Sequence, residues 1–227
     1  LAFPKSAKTS PVLALLTHTH LDHIIGLPSF SLIHSPTARI RLAAPDRDGV
    51  SIEACLSRFL ESPFWPIRID RHVADISFLH LPPGPGAPAR REKDLEIRWA
   101  PVRDDGGCTA YRVDEPSTGA AVAVATDLEW GAMAEAERET LRRLFAEPRP
   151  VGLLLFDGHV PPADAARYRG WGHSSWRDGI DAARRAGAGR LALIHHAQFH
   201  ADIDIAALEA DCQKEWNSAR FAREGTV

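Results

Sequence analysis

Thr17-His18-Thr19-His20-Leu21-Asp22-His23 stands directly after the apolar run Val12–Leu16, and its reading governs that of the whole chain. Three imidazoles and a carboxylate in six residues, behind a predicted strand, offer nitrogen and oxygen donors of the kind that bind zinc. Alternate residues of an extended segment share a side, so His18 and His20 face one way. Asp22 and His23 start the next turn and can face a second ion. The plain alternative is a polar loop that happens to be rich in histidine, but four donors so tightly spaced behind a buried strand have little structural use.

Outward from this block, short branched apolar runs alternate with helical patterns, the signature of an α/β layered fold. Strands are predicted at Val12–Thr17, Arg39–Ala43, Ala74–Leu79, Leu95–Pro101, Thr109–Asp114, Ala120–Thr126, Gly152–Phe156 and Arg190–Ile194. Helices are predicted at Ile52–Glu61, Met133–Ala146, Ser175–Ala186 and Ile205–Trp216. In the third helix Trp176, Ile180 and Ala183 share a face that can be buried, with Arg177, Asp178 and Arg184 pointing outward. The Pro- and Gly-rich stretch Leu81–Arg90 suits neither helix nor sheet interior and reads as a surface loop between two strands. The composition does not shift across it, so the chain is read as a single domain, 1–227.

Composition excludes several classes of function. With 227 residues, 44% hydrophobic and 25% charged, the chain is neither disordered nor fibrous. Its 27 basic against 30 acidic side chains leave a net charge of −3, which disfavours a long nucleic acid as partner. The apolar runs Val151–Phe156 and Ala120–Ala125 fall far short of the ~20 residues a membrane helix needs. Cys55, Cys108 and Cys212 are odd in number and widely spaced, which points to a reducing cytoplasm rather than a disulfide framework.

Two further side chains echo the first block. Asp127 follows the strand pattern Ala120–Thr126, and a carboxylate at the end of a buried strand needs a partner. A turn or helix cap is the alternative for it. His195 likewise ends the strand Arg190–Ile194, and its neighbour His196 points the other way.

The HxHxDH string resembles that of the metallo-β-lactamase superfamily. The resemblance continues in order through Gly26-Leu27-Pro28, Gly106-Gly107-Cys108-Thr109-Ala110-Tyr111-Arg112, Ala125-Thr126-Asp127-Leu128-Glu129, Gly170-Trp171-Gly172-His173-Ser174-Ser175 and Leu193-Ile194-His195-His196. These blocks are similar to the branch that includes ribonuclease Z and cyclic-phosphate phosphodiesterases. The resemblance implies an αββα sandwich whose first strands, which normally precede the HxHxDH block, are largely missing here. It also implies two divalent metal ions, zinc foremost, with His18 and His20 on one, Asp22, His23 and His195 on the other, and Asp127 bridging. Asp104 stands where the family usually has a histidine, as third ligand of the first ion. A carboxylate there is a harder donor and shifts preference toward Mn²⁺ or Fe²⁺. Ala197 departs as well, since related chains often carry an acidic residue after the paired histidines.

The same resemblance places His173 over the metals, acting on the leaving group, with a loop histidine packed on Trp171 or Trp176 as the alternative. Asp22 would orient the attacking hydroxide. The expected function is a binuclear metal-dependent hydrolase acting on a small cyclic or nucleotide-like phosphodiester. A lactone or thioester hydrolase and a degenerate, non-catalytic metal or ligand sensor are the alternatives. Asp157 ends a strand as Asp127 does and is a weaker candidate for supporting the site. His159 is another, with a plain loop histidine as its counter-reading. His34, His72 and His80 read as surface or core residues, the Arg90, Arg91 and Lys93 cluster as a solvated loop, and Asp204 as a helix cap.

Overall fold

The structure, a computed structural model, describes residues 11–82, 84, 89–102 and 107–225. Its contacts fall into two compact units, Leu1–Pro83 and Gly84–Val227, with the break inside the Pro- and Gly-rich stretch.

In the first unit β1 (Val12–Leu15), β2 (Arg39–Pro45) and β3 (Asp75–Leu81) form a parallel sheet in the order β1-β2-β3. Parallel neighbours need a crossover connection. Between β1 and β2 the chain runs through the one-turn helix α1 (Leu21–Ile24) and two 3-10 turns, and between β2 and β3 through α2 (Ile52–Phe59). The middle strand β2 buries Ile40, Leu42, Ala43 and Ala44. Ile40 and Leu42 pack with Leu32, Ile33, Leu56 and Leu60 in a common core. The Ser51 hydroxyl accepts from the Ala54 amide at 3.1 Å and so starts α2.

The second unit holds a seven-stranded sheet in the order β10-β9-β8-β7-β6-β5-β4. Strands β4 (Arg90–Glu92), β5 (Leu95–Val102), β6 (Cys108–Glu115) and β7 (Ala120–Ala125) form an antiparallel meander. Strands β7, β8 (Leu153–Asp157), β9 (Leu191–Ile194) and β10 (Ala219–Phe221) run parallel. The crossovers are α3 (Glu135–Ala146), α4 (Trp176–Ala186) and α5 (Asp202–Glu215). Register sets Ala125 beside Phe156 and Phe156 beside Leu193, so three parallel strands end level at one carboxyl edge. In α/β sheets that edge is where ligands bind.

The apolar period that predicts α4 is the face it buries: Trp176, Ile180 and Ala183 are each 5% exposed or less. Asp178 is half-buried rather than outward, because it accepts from the Ser175 amide at 2.9 Å in a capping box. Close approach of α4 to the sheet depends on Gly179, where an added Cβ would lie 2.9 Å from Leu193 Cδ2 and 3.3 Å from Phe156 Cδ1. Gly158, just past β8, is equally constrained, since its added Cβ would lie 2.9 Å from Leu193 Cβ.

Inside the meander Arg112 is fully buried. It donates twice to Asp114 at 2.8 Å and also to the carbonyls of Leu144, Phe145 and Arg149. Two of those carbonyls belong to the last turn of α3, which lacks helical partners for them. Burial pushes the Asp114 carboxyl up, but the hydrogen bond and charge of Arg112, with the charges of Arg98 and Arg149, outweigh it and hold the group below its usual range.

Every predicted strand and helix is present, with ends shifted by a few residues. Two short strands, β4 and β10, and the single turn α1 were not predicted. The sequence Arg90-Arg91-Glu92 carries no apolar alternation and becomes a strand by pairing with β5. The basic cluster there is paired, Arg90 with Glu92 at 2.8 Å and Arg91 with Glu96 at 3.0 Å, in keeping with a solvated strand edge.

Candidate metal centre

In the first unit, β1 delivers the chain directly to the histidine block. His18 is 2% exposed, and its Nδ1 lies 3.2 Å from the Thr17 hydroxyl. The Thr17 carbonyl accepts from Arg47 at 2.8 Å, which ties the block to the segment after β2. The His18 ring sits 4.5 Å from that of His20 and 4.1 Å from that of His23, centroid to centroid. His23 Nε2 is 3.3 Å from an Asp22 carboxylate oxygen. His20 immediately precedes α1, while Asp22 and His23 lie on it. The extended stretch followed by a turn thus brings all four side chains together, with His18 as common neighbour of the other two rings.

In the second unit the carboxyl edge of β7, β8 and β9 gathers Asp127, Asp157 and His195. Both Asp127 and His195 adopt left-handed backbone, with φ of 55° and 60°. Non-glycine residues rarely do so, and such outliers gather at functional sites. Asp127 is 3% exposed, and its Oδ2 accepts from the Thr126 hydroxyl at 2.7 Å. His195 Nε2 lies 3.5 Å from Asp127 Oδ1, and its Nδ1 lies 3.6 Å from Asp157 Oδ2.

Asp157 is the hub of this edge. It is fully buried and accepts from four donors. Its Oδ1 takes the amides of His159 (3.0 Å) and Ser174 (3.2 Å), and its Oδ2 takes the amide of Asp127 (2.9 Å) and Nδ1 of His173 (3.2 Å). Burial pushes this carboxyl up, yet the side chains of His173 and His195 and the His159 amide overcome it and keep the group below its ordinary value.

The histidines around it have assigned tautomers. A carbonyl only accepts, so His159 Nδ1, 2.9 Å from the His195 carbonyl, carries the proton. Burial and then the neighbouring His173 hold the His159 imidazole below its usual pKa. The His173 and His159 rings are stacked with centroids 4.1 Å apart, and each lies 5.1 Å from the His195 ring. His173 therefore packs on His159 and bonds Asp157. His196 turns to the other side, its Nε2 3.2 Å from the Ala222 carbonyl and its ring stacked on Phe221.

The donor set suits a transition-metal cation. Asp127, Asp157 and His195 present ligand atoms all within 4.8 Å of one another, as do His159, His173 and His195. Imidazole nitrogen with carboxylate oxygen is the chemistry zinc and its neighbours prefer. Asp104 lies outside the described residues. Ala197 is buried and its carbonyl accepts from the His200 amide at 3.0 Å. His34 donates to the Pro28 carbonyl at 2.9 Å, and His80 pairs with Asp46.

Three supporting residues escaped the sequence reading. Thr126 holds Asp127, and Arg47 holds Thr17. Ser174 accepts from the Trp130 amide at 3.1 Å and donates to the Leu128 carbonyl, joining the His173 loop to the segment after Asp127. Serine and threonine are common in any loop, so only Thr126 carried a signal, its place beside a strand-ending carboxylate.

Residues 2–196 match the family model of the beta-lactamase superfamily domain. Ribonuclease Z of Deinococcus radiodurans is 27% identical over 191 residues, covering 84% of this chain and 54% of that protein. The chain thus spans about half the length of that curated relative. Among solved structures, unliganded yeast PDE1 compares at a TM-score of 0.69 and 16% identity, over 94% of this chain and 67% of the other. The short form of human tRNase Z compares at 0.65 and 17%, over 94% and 77%. Likeness at such identities is one of fold. With most of its length matched by the family model, the chain belongs to the beta-lactamase superfamily and has the metallo-β-lactamase fold.

Proposed function

We propose that the chain, acting as one functional domain over 1–227, is a metal-dependent hydrolase of small cyclic or nucleotide-like phosphodiesters that holds two divalent cations. Zinc is the first choice, with Mn²⁺ or Fe²⁺ as alternatives. The ligands assigned by resemblance are His18, His20 and Asp104 for one ion, Asp22, His23 and His195 for the other, and Asp127 between them. The observation that carries the reading is the carboxyl edge of β7, β8 and β9. There Asp127 and His195 adopt strained left-handed backbone around a buried carboxylate that also holds His173.

Bound cations would supply the Lewis acidity that makes a nucleophile of water near neutral pH. The side chains do the rest. His173 commits its Nδ1 proton to Asp157, so Nε2 is the atom that faces the leaving oxygen, and a second proton taken up there is the one it delivers. The Asp157 carboxylate, accepting at Nδ1, fixes the orientation of the ring. Asp22, whose side chain is half exposed, accepts a hydrogen from the attacking water and orients it. Thr126 keeps Asp127 in place.

A phosphodiester of modest size fits a chain with no excess of basic charge. The cytoplasm is proposed from cysteine usage, three widely spaced cysteines being no disulfide framework. Among the described residues no helix is long and apolar enough to cross a membrane.

The test is metal analysis of the untreated protein, followed by turnover of phosphodiester, lactone and thioester substrates with and without added Zn²⁺, Mn²⁺ or Fe²⁺. Chelator-sensitive hydrolysis of a phosphodiester supports the reading. Turnover of a lactone or thioester alone replaces the substrate class, and metal uptake with no turnover of any ester moves the sensor reading ahead.

A further inference from the structure

Beside the loop that carries His173 lies an aromatic cluster for which the proposed chemistry has no use. Trp171 and Phe199 are 64% and 63% exposed, large apolar rings left on the surface of the second unit. They are joined by half-buried Tyr168, which meets Trp171 edge-on (centroids 5.1 Å, 89°) and lies nearly parallel to Phe199 (6.3 Å, 16°). The Arg167 guanidinium stands 5.5 Å from the Tyr168 ring centre, and the exposed Arg169 follows it.

The platform is held in place. The Val160 amide donates to the Ser174 carbonyl at 3.1 Å and closes the base of the loop. The Gly170 amide donates to Glu129 at 2.7 Å, two residues past Asp127, and the Trp171 amide donates to the Tyr168 carbonyl at 3.2 Å. Connectivity fixes its distance from the chemistry. Trp171 is two residues before His173 and Phe199 four after His195, so their Cα atoms lie within about 7 Å and about 14 Å of those of the two histidines.

We infer that Trp171 and Phe199, braced by Tyr168, form a stacking subsite for the nucleobase of a nucleotidyl phosphodiester, with Arg167 and Arg169 favouring its anionic backbone. This rests on the phosphodiesterase reading and narrows it from cyclic or nucleotide-like phosphodiesters at large to those that carry a base. Exposed π-faces beside guanidinium groups are what single-stranded nucleotides stack on, and the surface is sequence-tolerant because every base has a π-face. An aliphatic acyl chain gains nothing from the cations. A protein partner or a second copy of the chain is the competing occupant.

The experiment compares binding of AMP and ribose 5-phosphate by calorimetry to the purified protein and to Trp171→Ala, Phe199→Ala and, as a control in the first unit, the exposed Phe64→Ala. The two ligands share a phosphate and a sugar and differ by the base. The parent and the control are expected to bind AMP about tenfold or more tightly than ribose 5-phosphate, and Trp171→Ala is expected to lose most of that preference. Equal affinities in the parent, or a preference that survives in both platform variants, overturns the subsite. So does concentration-dependent dimerisation in sedimentation that Trp171→Ala abolishes. Turnover of thymidine 5′-monophosphate p-nitrophenyl ester, a phosphodiester that carries a base, tests the phosphodiesterase reading separately. If the parent leaves that ester intact while the base preference still depends on Trp171, the hydrolase reading fails and the subsite stands.

Discussion

Replacing Asp157 with Asn keeps the shape of the side chain and removes its charge. Four donors converge on its two oxygens, two on each. An amide nitrogen in the Oδ1 position would face two backbone N–H groups, from His159 and Ser174, neither of which can change. In the Oδ2 position it would face the Asp127 amide and His173, and His173 can respond by moving its proton to Nε2 and accepting at Nδ1. The second arrangement is cheaper. It leaves one buried N–H unsatisfied, at about 1–3 kcal/mol, and turns two charge-assisted bonds into neutral ones, at about 1 kcal/mol each. Relief from burying a charge offsets part of this. The expected loss is roughly 2–4 kcal/mol in urea unfolding, with the midpoint lowered and the slope unchanged. The same substitution is expected to switch His173 from the Nδ1-H to the Nε2-H tautomer, visible in its ¹⁵N shifts. A loss below about 0.5 kcal/mol, the level of an ordinary surface change, together with an unchanged tautomer would refute the assignment of Asp157 as hub.

Other outcomes follow from the same geometry. Dialysis against chelator is expected to lower the melting temperature, because a metal bound only to the folded state stabilises it by mass action; identical melting with no uptake of added metal would remove the metal centre. His173→Ala is expected to keep metal content while reducing kcat on a phosphodiester by about 10²-fold or more, and loss of metal would make it a ligand instead. Asp114 has a folded pKa below its ordinary 3.8, so the stability it contributes is complete above that value and is lost as pH falls through the lower folded one. Acid unfolding curves of the parent and Asp114→Asn should therefore converge as pH drops below about 4, and parallel curves would refute this. Asp104→His is expected to raise zinc affinity relative to Mn²⁺ and Asp104→Ala to weaken one of two sites; equal titrations of all three forms would take Asp104 off the ligand list.

What the sequence made legible follows the strength of each local signal. Strands β5 to β9 alternate or run apolar over four or more residues, and turn residues bound them. Strand β10, Ala219-Arg220-Phe221, is too short for a period to register and exists through its pairing with β9. Helix α5 begins three residues before its apolar pattern, at Asp202, because Asp204 accepts from the Ala201 amide at 2.9 Å and stabilises a polar first turn. Around the candidate centre, the density of donors in His18 to His23 and the carboxylate after β7 were visible as chemistry. Asp157 gave a similar but weaker signal, because a carboxylate at a strand end is equally at home in a turn. Its role comes from four donors contributed by residues 127, 159, 173 and 174, a convergence that only the folded sheet creates.

The strain at Asp127 and His195 explains why that convergence holds together. Left-handed backbone costs an L-residue roughly 1–2 kcal/mol, so something at each position must offset it. At Asp127 it is the amide donating to buried Asp157, a hydrogen bond to a charge worth about 1.5–3 kcal/mol. At His195 it is the carbonyl accepting from His159 Nδ1. The two reversals and the two hydrogen bonds therefore depend on each other, through a carboxylate that is itself held ionised by the groups it orients. Glycine at 127 or 195 would relieve the strain but leave no side chain to present at the edge. Keeping an oxygen and a nitrogen donor there, against the backbone preference, is what the proposed metal centre requires of this edge.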